Sequence, residues 1–305
     1  MAGISNFAIG NTPLAPVPLG PEAGDARFFA KLEWYNPTGS LKDRIALHMI
    51  EAAEASGELT SDKILLEATS GNTGIALAAV AAAKGYRAQI VMCEAMSEER
   101  KLTLRSLGAE LVLTTAEEGC DGAVIRAQEL AQDPRYHLLG QFVRPTNAEA
   151  HYLTTGAEIV RQCRDLDCFV AGIGTGGTVM GVGRRLREEL PPVRIAGVAA
   201  QHQSMVQGLM SLEQFVAPIL DLSILDERVE VSDSEAFAAA RELARDQGLF
   251  VGLSSGATYA AARKLATRGY RRIVGLFGDS GAKYLSTEAF ASLPFPAPNA
   301  PDGLS

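Results

Sequence analysis

The sequence has few of the residues from which metal sites, disulfide frameworks and nucleic-acid surfaces are built. It contains four cysteines and four histidines in 305 residues, without CxxC spacing. This scarcity predicts neither a zinc site nor a disulfide framework, and it favours the cytoplasm as the compartment. The net charge is −8 and Lys and Arg form no run, so nucleic acid is not an expected partner.

Long apolar runs and a basic leader are also missing. No apolar stretch is long enough to span a bilayer, and residues 1–20 lack the positively charged start of a secretory signal. Apolar residues make up 47% of the chain and charged residues 21%, which is typical of a globular protein. A chain of this length can form one large domain or two smaller ones.

Short apolar runs alternate with longer helical patterns along the chain. Strands are predicted at residues 63–68, 87–92, 110–114, 136–141, 168–173, 194–199 and 272–277. Helices are predicted from Ser40 onward and at residues 74–84, 98–107, 122–131, 148–162, 178–189, 234–246 and 256–266. The alternation predicts an α/β fold with two parallel-rich, twisted sheets that are flanked by helices.

Residues 36–44 (NPTGSLKDR) place a lysine at an unusual point. Pro37 and Gly39 prevent a helix before Ser40, which is a favourable N-cap. Lys42 then falls in the first helical turn, where exposed N–H dipoles disfavour a cation. A lysine whose charged form is disfavoured has a lowered pKa and suits Schiff-base chemistry, although a lone lysine is more often a solvated surface residue.

Three further loops lead into helices and carry small polar residues. Residues 69–74 (TSGNTG) expose backbone N–H groups that suit a carboxylate. Residues 174–178 (GTGGT) are dense enough in glycine to suit a phosphate. Residues 252–257 (GLSSGA) offer a serine hydroxyl that can hydrogen-bond a ring nitrogen without forcing its protonation. Each loop alone also fits an ordinary helix-capping turn.

The glycine-rich loop also fits a dinucleotide fingerprint between Gly172 and Gly177. That reading needs an acidic residue at the end of the next strand to hold a ribose. The next strand instead runs into Gln201 without an acid. The sequence therefore favours a phosphate that does not belong to a dinucleotide.

Together, residues 36–44, 69–74, 174–178, 254–257 and 279–286 (DSGAKYLS) resemble the B-type cysteine synthases, also called O-acetylserine sulfhydrylases. These enzymes belong to the cysteine synthase/cystathionine β-synthase family of pyridoxal-phosphate enzymes. The resemblance covers nearly the whole chain and follows the family's order of motifs. It implies the two-domain fold-type II architecture, which is similar to that of the tryptophan synthase β subunit.

The resemblance implies a domain organisation and a set of partners. The larger, cofactor-binding domain would comprise residues 1–35 plus 143–305, and the smaller, mobile substrate-binding domain residues 36–142. The family is typically homodimeric. A serine acetyltransferase or a sulfur-carrier protein is the kind of protein partner that it implies, with no nucleic acid and no membrane.

The resemblance also implies a role for each matching residue. Lys42 would be the catalytic residue and would bind pyridoxal 5′-phosphate as an internal aldimine, with Asn72 at the 3′ oxygen and Ser254 at the pyridine nitrogen. The residues implied to hold the cofactor's phosphate are Gly174, Thr175, Gly176, Gly177 and Thr178. Those implied to hold the substrate carboxylate are Thr69, Ser70, Thr73 and Gln141. No metal is expected.

The implied reaction is a β-replacement that makes L-cysteine from O-acetyl-L-serine and sulfide, through an α-aminoacrylate. Three alternatives stay open: an O-phosphoserine sulfhydrylase, with Arg144 as a phosphate ligand, a cystathionine β-synthase-like enzyme, and a diaminopropionate-forming enzyme.

One stretch departs from the family's pattern. Met210 stands where many members have glycine, which would narrow the pocket or change the nucleophile that enters.

Overall fold

A computed structural model describes residues 8–69, 71–202 and 204–291, apart from the side chain of Cys120. Within these ranges the strands are β1 (Leu14–Val17), β2 (Arg27–Leu32), β3 (Ile64–Ala68), β4 (Arg87–Cys93), β5 (Glu110–Thr114), β6 (Tyr136–Leu138), β7 (Cys168–Gly172), β8 (Arg194–Ala200), β9 (Glu227–Val231) and β10 (Arg272–Phe277). The helices are α1 (Lys42–Ser56), α2 (Asn72–Lys84), α3 (Glu98–Ser106), α4 (Gly119–Leu130), α5 (Thr146–His151), α6 (Ala157–Gln162), α7 (Gly177–Glu189), α8 (Asp233–Gln247), α9 (Leu253–Thr267) and α10 (Glu288–Ala291).

The strands form two separate sheets. The larger has the order β1-β2-β10-β7-β8-β9, with only β1 antiparallel to its neighbour among these strands. The smaller has the order β5-β4-β3-β6 and is parallel throughout. Parallel strands need crossover connections, and helices supply them here, so both faces of each sheet can be covered. The predicted α/β fold with two parallel-rich sheets is confirmed.

Each sheet packs apolar side chains against helices on both faces. In the smaller sheet, Leu65 and Ile90 face the layer that contains α1 and α2, whereas Leu66 and Val91 face α4. In the larger sheet, one face packs against α8 and α9 and the other against α6 and α7. Successive strand residues point to opposite faces, so buried apolar runs mark strands that are covered on both sides.

The largest departure from the predicted elements lies at residues 148–162. One continuous helix is predicted there, but a single π-helical turn (Tyr152–Gly156) separates α5 from α6. Helix α7 crosses this region so closely that a Cβ on Gly181 would lie 2.0 Å from the carbonyl oxygen of Ala148. Such turns insert an extra residue into the helical repeat, and nothing in the periodicity of the sequence reveals them.

The loops that carry the unusual residues follow the inner strands of the two sheets. The loop of residues 69–71 follows β3, and the loop of residues 173–176 follows β7. In open α/β sheets, ligands bind beyond the carboxyl ends of such strands. None of the helices in the described part of the chain is both long and apolar enough to cross a membrane.

Candidate active site

Lys42 is the first residue of α1, at the wall of a cleft between the two sheets. Leu41 is the N-cap, so the helix begins one residue later than a Ser40 N-cap predicts, because Ser40 instead pairs with Asp279 in an isolated β-bridge. The Ser40 hydroxyl still accepts the N–H of Lys42, at 3.3 Å. Leu41 donates its N–H to the carbonyl oxygen of Gly278 at 2.9 Å. These contacts fix the start of α1 to the loop that follows β10.

The electrostatics of the cleft suit a reactive amine. Loss of water lowers the pKa of Lys42 to about 8, and the negative charge of Asp279 opposes that shift only in part. The position of Lys42 in the first helical turn predicts a lowered pKa through the helix dipole. In the structure the pKa is indeed lowered, but burial is the largest cause. About a tenth of this amine is therefore neutral, and nucleophilic, at pH 7, far more than for a solvated lysine.

The glycine-rich loop forms the second wall of the cleft. Gly176 is the N-cap of α7 with a φ of +85°, and as a glycine it has no side chain to cap the helix end. Among the described residues, the N–H of Gly177 donates to the Thr175 hydroxyl at 3.3 Å. A Cβ on Gly177 would lie 2.0 Å from Oδ1 of Asn147, so the backbone approaches its neighbour too closely for any other residue. Gly174, Thr175, Gly176 and Thr178 line the cleft, and Gly177 lies behind them. An uncapped helix N-terminus of this kind binds anions.

Ser254 faces the same cleft from α9. The sequence predicts it in a loop, but α9 begins at Leu253, so Ser254 lies in the first helical turn. The N–H of Gly278 donates to the neighbouring Ser255 hydroxyl at 3.1 Å, which holds the β10 loop against this helix. The Ser254 hydroxyl has no hydrogen-bond partner among the described residues, and so it is available to a bound ring nitrogen.

The predicted carboxylate-binding residues surround the start of α2. The N–H of Gly71 donates to the Thr69 hydroxyl at 3.2 Å, and the Thr73 hydroxyl donates to Oε1 of Gln141 at 2.7 Å. Thr73 and Gln141 are both buried, so their hydrogen bond is a fixed feature next to Asn72, which is the residue of this group that lines the cleft. Ser70 is predicted to belong to the same group, but it lies outside the described residues.

Asn72 lines the cleft with its amide already engaged. Its Nδ2 donates to Oδ2 of Asp279 at 2.7 Å, and its Oδ1 accepts from Nζ of Lys283 at 2.6 Å. Tyr284 also donates its hydroxyl to Oδ2 of Asp279, at 2.6 Å. Burial raises the pKa of Asp279, and its Oδ1 is buried without a partner among the described residues. The two sheets are thus connected by polar contacts directly beside Lys42.

Four residues near the cleft receive no role from the sequence. Asp279 and Tyr284 both line the cleft, and in the sequence their loop is recognisable only as part of a family motif. Asn147 donates its Nδ2 to Oγ1 of Thr175 at 2.9 Å, which supports the glycine-rich loop from behind. Glu67 is a buried carboxylate inside an apolar strand, and that placement was the one local signal that could have revealed it.

Met210, which departs from the family pattern, and Arg144, the phosphate ligand of the O-phosphoserine alternative, both lack the contacts that those roles need. Leu209, rather than Met210, lines the cleft. The Met210 backbone bridges the ends of β7 and β8: its N–H donates to the carbonyl oxygen of Ile173 at 2.8 Å, and its carbonyl oxygen accepts the N–H of Ala200 at 3.1 Å. The guanidinium of Arg144 forms an ion pair with Glu58, with Nη1 and Oε2 separated by 2.6 Å. The phosphate-binding role considered for Arg144 therefore has no support in its contacts.

The residues of the cleft fit pyridoxal phosphate. Lys42 supplies a primary amine with a lowered pKa, the uncapped end of α7 supplies N–H donors for a phosphate, and Ser254 supplies a neutral hydroxyl. The three groups line one cleft, as the sequence predicts. Among the described residues, no three His, Cys, Asp or Glu side chains come together as a metal site.

Comparison with known proteins agrees with this reading. The family model described as "Pyridoxal-phosphate dependent enzyme" matches residues 6–277. Cysteine synthase B of Salmonella typhimurium is 44% identical over 287 residues, which cover 92% of this chain and 94% of the relative. The crystal structure of O-ureido-L-serine synthase superposes with a TM-score of 0.90 at 36% identity and 97% coverage of each chain. Cysteine synthase of Entamoeba histolytica superposes with a TM-score of 0.89 at 31% identity, covering 95% of this chain and 90% of that one.

The chain belongs to the family of pyridoxal-phosphate-dependent enzymes, and its cofactor is pyridoxal 5′-phosphate. Its fold is that of the type II members of this family. Within the family, its relatives at 40–44% identity over most of the chain are the cysteine synthases.

Proposed function

We propose that this protein makes L-cysteine from O-acetyl-L-serine and sulfide, with acetate as the second product. The observation that carries this proposal is the position of Lys42. Its amine, with a pKa of about 8, lines one cleft with the uncapped end of α7 and the Ser254 hydroxyl. The 44% identity to a cysteine synthase supports the particular β-replacement.

Lys42 has two tasks in this reaction. Bound pyridoxal phosphate supplies an electron sink that stabilises the negative charge left when the substrate loses its α proton. As a neutral amine, Lys42 Nζ takes that proton and later returns it to the same carbon, while acetate leaves the β carbon and sulfide adds to it. Burial keeps this amine neutral more easily than a solvated lysine, which suits a proton carrier.

The remaining candidate residues orient the substrate and the cofactor. Thr69, Thr73 and Gln141, together with Ser70, are proposed to bind the substrate carboxylate. Their hydroxyl and amide groups can donate hydrogen bonds to it without a competing charge. The cofactor's phosphate is assigned to the loop of residues 174–178, its ring nitrogen to Ser254, and its 3′ oxygen to Asn72. The Asn72 amide would exchange a present contact with Lys283 or Asp279 when the cofactor binds.

The activated serine and the nucleophile can be tested separately. Purified holoenzyme is mixed with O-acetylserine or O-phosphoserine, each with sulfide, and cysteine is measured. We expect O-acetylserine to react at the lower concentration. Arg144, the arginine considered as a ligand for the phosphate group of O-phosphoserine, instead pairs with Glu58. Hydroxyurea in place of sulfide tests the chemistry named for the O-ureido-L-serine synthase neighbour. Faster turnover with O-phosphoserine, or with hydroxyurea, would replace the proposed substrate pair.

The domain organisation is proposed from the two sheets. The smaller sheet lies wholly within residues 36–142, and the larger sheet lies within residues 1–35 and 143–305. We infer that the smaller part moves toward the larger when substrate enters, about the contacts beside Lys42. Small-angle X-ray scattering with and without O-acetylserine tests this: a smaller radius of gyration with substrate supports closure, and an unchanged radius contradicts it.

A homodimer is proposed as the assembly. Val143, Phe215 and Val216 are apolar and 40–57% exposed, and the rings of Phe142 and Phe215 are 5.6 Å apart, so these side chains form one surface. A surface of this kind is a candidate interface. Light scattering should give twice the chain mass, and Phe215→Asp should lower it. A monomeric wild-type protein would contradict the proposal.

The location and protein partners are proposed on the family resemblance. A cytoplasmic location is supported by Cys93, Cys163 and Cys168, which are free and buried thiols. The proposed partners are a serine acetyltransferase, which would insert its C-terminal peptide into the cleft, and a sulfur-carrier protein. A peptide of that kind should compete with O-acetylserine for the holoenzyme. Absence of competition would remove the acetyltransferase from the proposal.

A further inference from the structure

The polypeptide leaves the smaller sheet at one sharply defined point. Strand β6 runs parallel to β3. The last backbone hydrogen bond between these two strands is donated by the N–H of Leu139 to the carbonyl oxygen of Leu66, at 2.9 Å. Gly140 then adopts a φ of +69° and turns the chain away from the sheet. The N–H groups of Gly140 and Gln141 consequently lose the backbone partners that a continuing strand would offer, and buried N–H groups need a replacement.

The replacement is the carboxylate of Glu67. This residue follows Leu66 on β3 and is only 3% exposed. Its Oε2 accepts the N–H of Gly140 at 2.8 Å and the N–H of Gln141 at 3.3 Å. Burial raises the pKa of Glu67 to about 7, and the backbone N–H donors oppose that shift. A carboxylate in the interior of an apolar strand weakens the fold unless its contacts are needed, so its position calls for a functional reason.

The contacts of Gln141 supply that reason. Its side-chain Oε1 accepts the Thr73 hydroxyl at 2.7 Å, and its carbonyl oxygen accepts Nδ2 of Asn147 at 2.7 Å. The same Nδ2 donates to Oγ1 of Thr175 in the glycine-rich loop at 2.9 Å. One continuous set of buried hydrogen bonds therefore joins Glu67, the proposed carboxylate-binding residues and the proposed phosphate loop.

We propose that Glu67 is a positioning residue for the amino-acid substrate: its carboxylate holds the turn at Gly140 and thereby sets the orientation of Gln141 and Thr73. This proposal rests on the proposed function, in which those two residues bind the substrate carboxylate. Glu67 itself touches neither substrate nor cofactor in this proposal. A glutamine keeps one oxygen that can accept both N–H groups but loses the negative charge, so Glu67→Gln changes charge-assisted hydrogen bonds into weaker, neutral ones.

The test compares Glu67→Gln with Glu110→Gln in the same sheet. Glu110 lies on β5 at the surface, where it pairs with Arg87, and it has no contact with Gln141. We expect Glu67→Gln to raise the KM for O-acetylserine by about tenfold, because a charge-assisted hydrogen bond becomes a neutral one. The dissociation constant from spectral titration without sulfide should rise by the same factor. The kcat and the bound cofactor should change less than twofold, and Glu110→Gln should resemble the wild type.

A second comparison shows whether Glu67 acts through Gln141. In a Gln141→Ala background, the Glu67→Gln change should have almost no further effect on the KM, since residues that act through one another are not additive. A full tenfold effect in that background, or an unchanged KM in the single variant, would overturn the proposal. If Glu67→Gln does not fold, Glu67→Asp, which retracts the carboxylate by one methylene, is measured in the same way, and an unchanged KM again overturns it.

Hydrogen exchange separates this proposal from the proposed function. The peptide that contains Gly140 and Gln141 should exchange faster in Glu67→Gln than in Glu110→Gln, whatever the substrate is. A wild-type enzyme that makes no cysteine, combined with faster exchange in this peptide, would refute the function and preserve the anchoring contact. Active wild-type enzyme with unchanged exchange in Glu67→Gln would refute the role of Glu67 and leave the function intact.

Discussion

The loops after β3 and β7 hold equivalent places in two parallel sheets, but they are packed differently. Each follows a strand with neighbours on both sides and leads into a helix. At the end of the β7 loop, a Cβ on Gly177, the first residue of α7, would lie 2.0 Å from Asn147. A Cβ on Gly71 in the β3 loop would meet no atom of the described residues within 4 Å. The packed loop is suited to one permanently bound group, and the open loop has room for a substrate that enters and leaves.

The largest expected effect comes from the amine that lies between the two loops. Lys42→Ala should reduce cysteine formation on the order of a thousandfold or more, because it removes the group that carries the proton. The packed loop is unchanged, so the variant should still hold the cofactor without a covalent bond. Cysteine production and the cofactor released on denaturation are measured, with Lys42→Arg as a control that keeps the charge. Turnover within tenfold of the wild type would contradict the role of Lys42.

Alanine at one glycine of each loop tests the comparison directly. Gly177→Ala forces a collision with Asn147 and should lower the free energy of unfolding by about 1–3 kcal/mol, with weaker cofactor binding. Gly71 has a φ of −112° and free space, so Gly71→Ala should change stability by less than about 0.5 kcal/mol. Thermal unfolding and cofactor content are measured for both. Equal losses in the two variants would mean that the loops do not differ as described.

The pH dependence of cofactor uptake tests the environment of the amine. Only neutral Lys42 attaches the cofactor, and its pKa is lowered to about 8, so uptake by the apoprotein should become about tenfold faster between pH 7 and pH 9. The charge of Asp279 raises this pKa, so Asp279→Asn should move the midpoint to lower pH. Uptake is followed in the visible spectrum. A midpoint near the ordinary lysine value of 10.5 would show that the amine is solvated.

The smallest effect is expected at the start of α2, directly after the open loop. Thr73→Val removes the hydroxyl that donates to Gln141 and should raise the KM for O-acetylserine about fivefold, the value of one neutral hydrogen bond. Cofactor content should match that of the wild type, since Thr73 reaches the packed loop only indirectly, through Gln141 and Asn147. Thr115→Val, at an exposed hydroxyl that contacts Glu118, serves as the control. Loss of cofactor from Thr73→Val would show that the two loops do not act separately.

Local signals in the sequence explain why the loops were predictable. Residues 69–74 and 174–178 each combine small polar residues with a preceding apolar run and a following helix, and the structure has that order. The strands at 110–114 and 272–277 match their predicted bounds because apolar runs and turn residues delimit them. The strand after residue 136 ends at Leu138 rather than Gln141, because Gly140 turns the chain toward Glu67.

Long-range contacts explain what was not predictable. No strand is predicted for β1, β2 or β9. Strand β2 pairs with β10 far along the chain, and β1 and β9 are edge strands that have one neighbour each. Strand β9 is also an edge strand in which exposed charged residues alternate with buried valines, so its apolar content is low. The placement of Asp279 beside Lys42 depends on the bridge to Ser40, and no local pattern contains that information.

The measurement that tests the central claim most directly is a visible-spectrum titration of the purified holoenzyme with O-acetylserine in the absence of sulfide. The proposal predicts a yellow protein whose cofactor band shifts as one equivalent of acetate is released, and whose original band returns with cysteine when sulfide is added. A protein that takes up pyridoxal phosphate but shows no shift with O-acetylserine would contradict the cysteine synthase activity. A protein that takes up none would contradict the assignment of Lys42 and of the whole cleft.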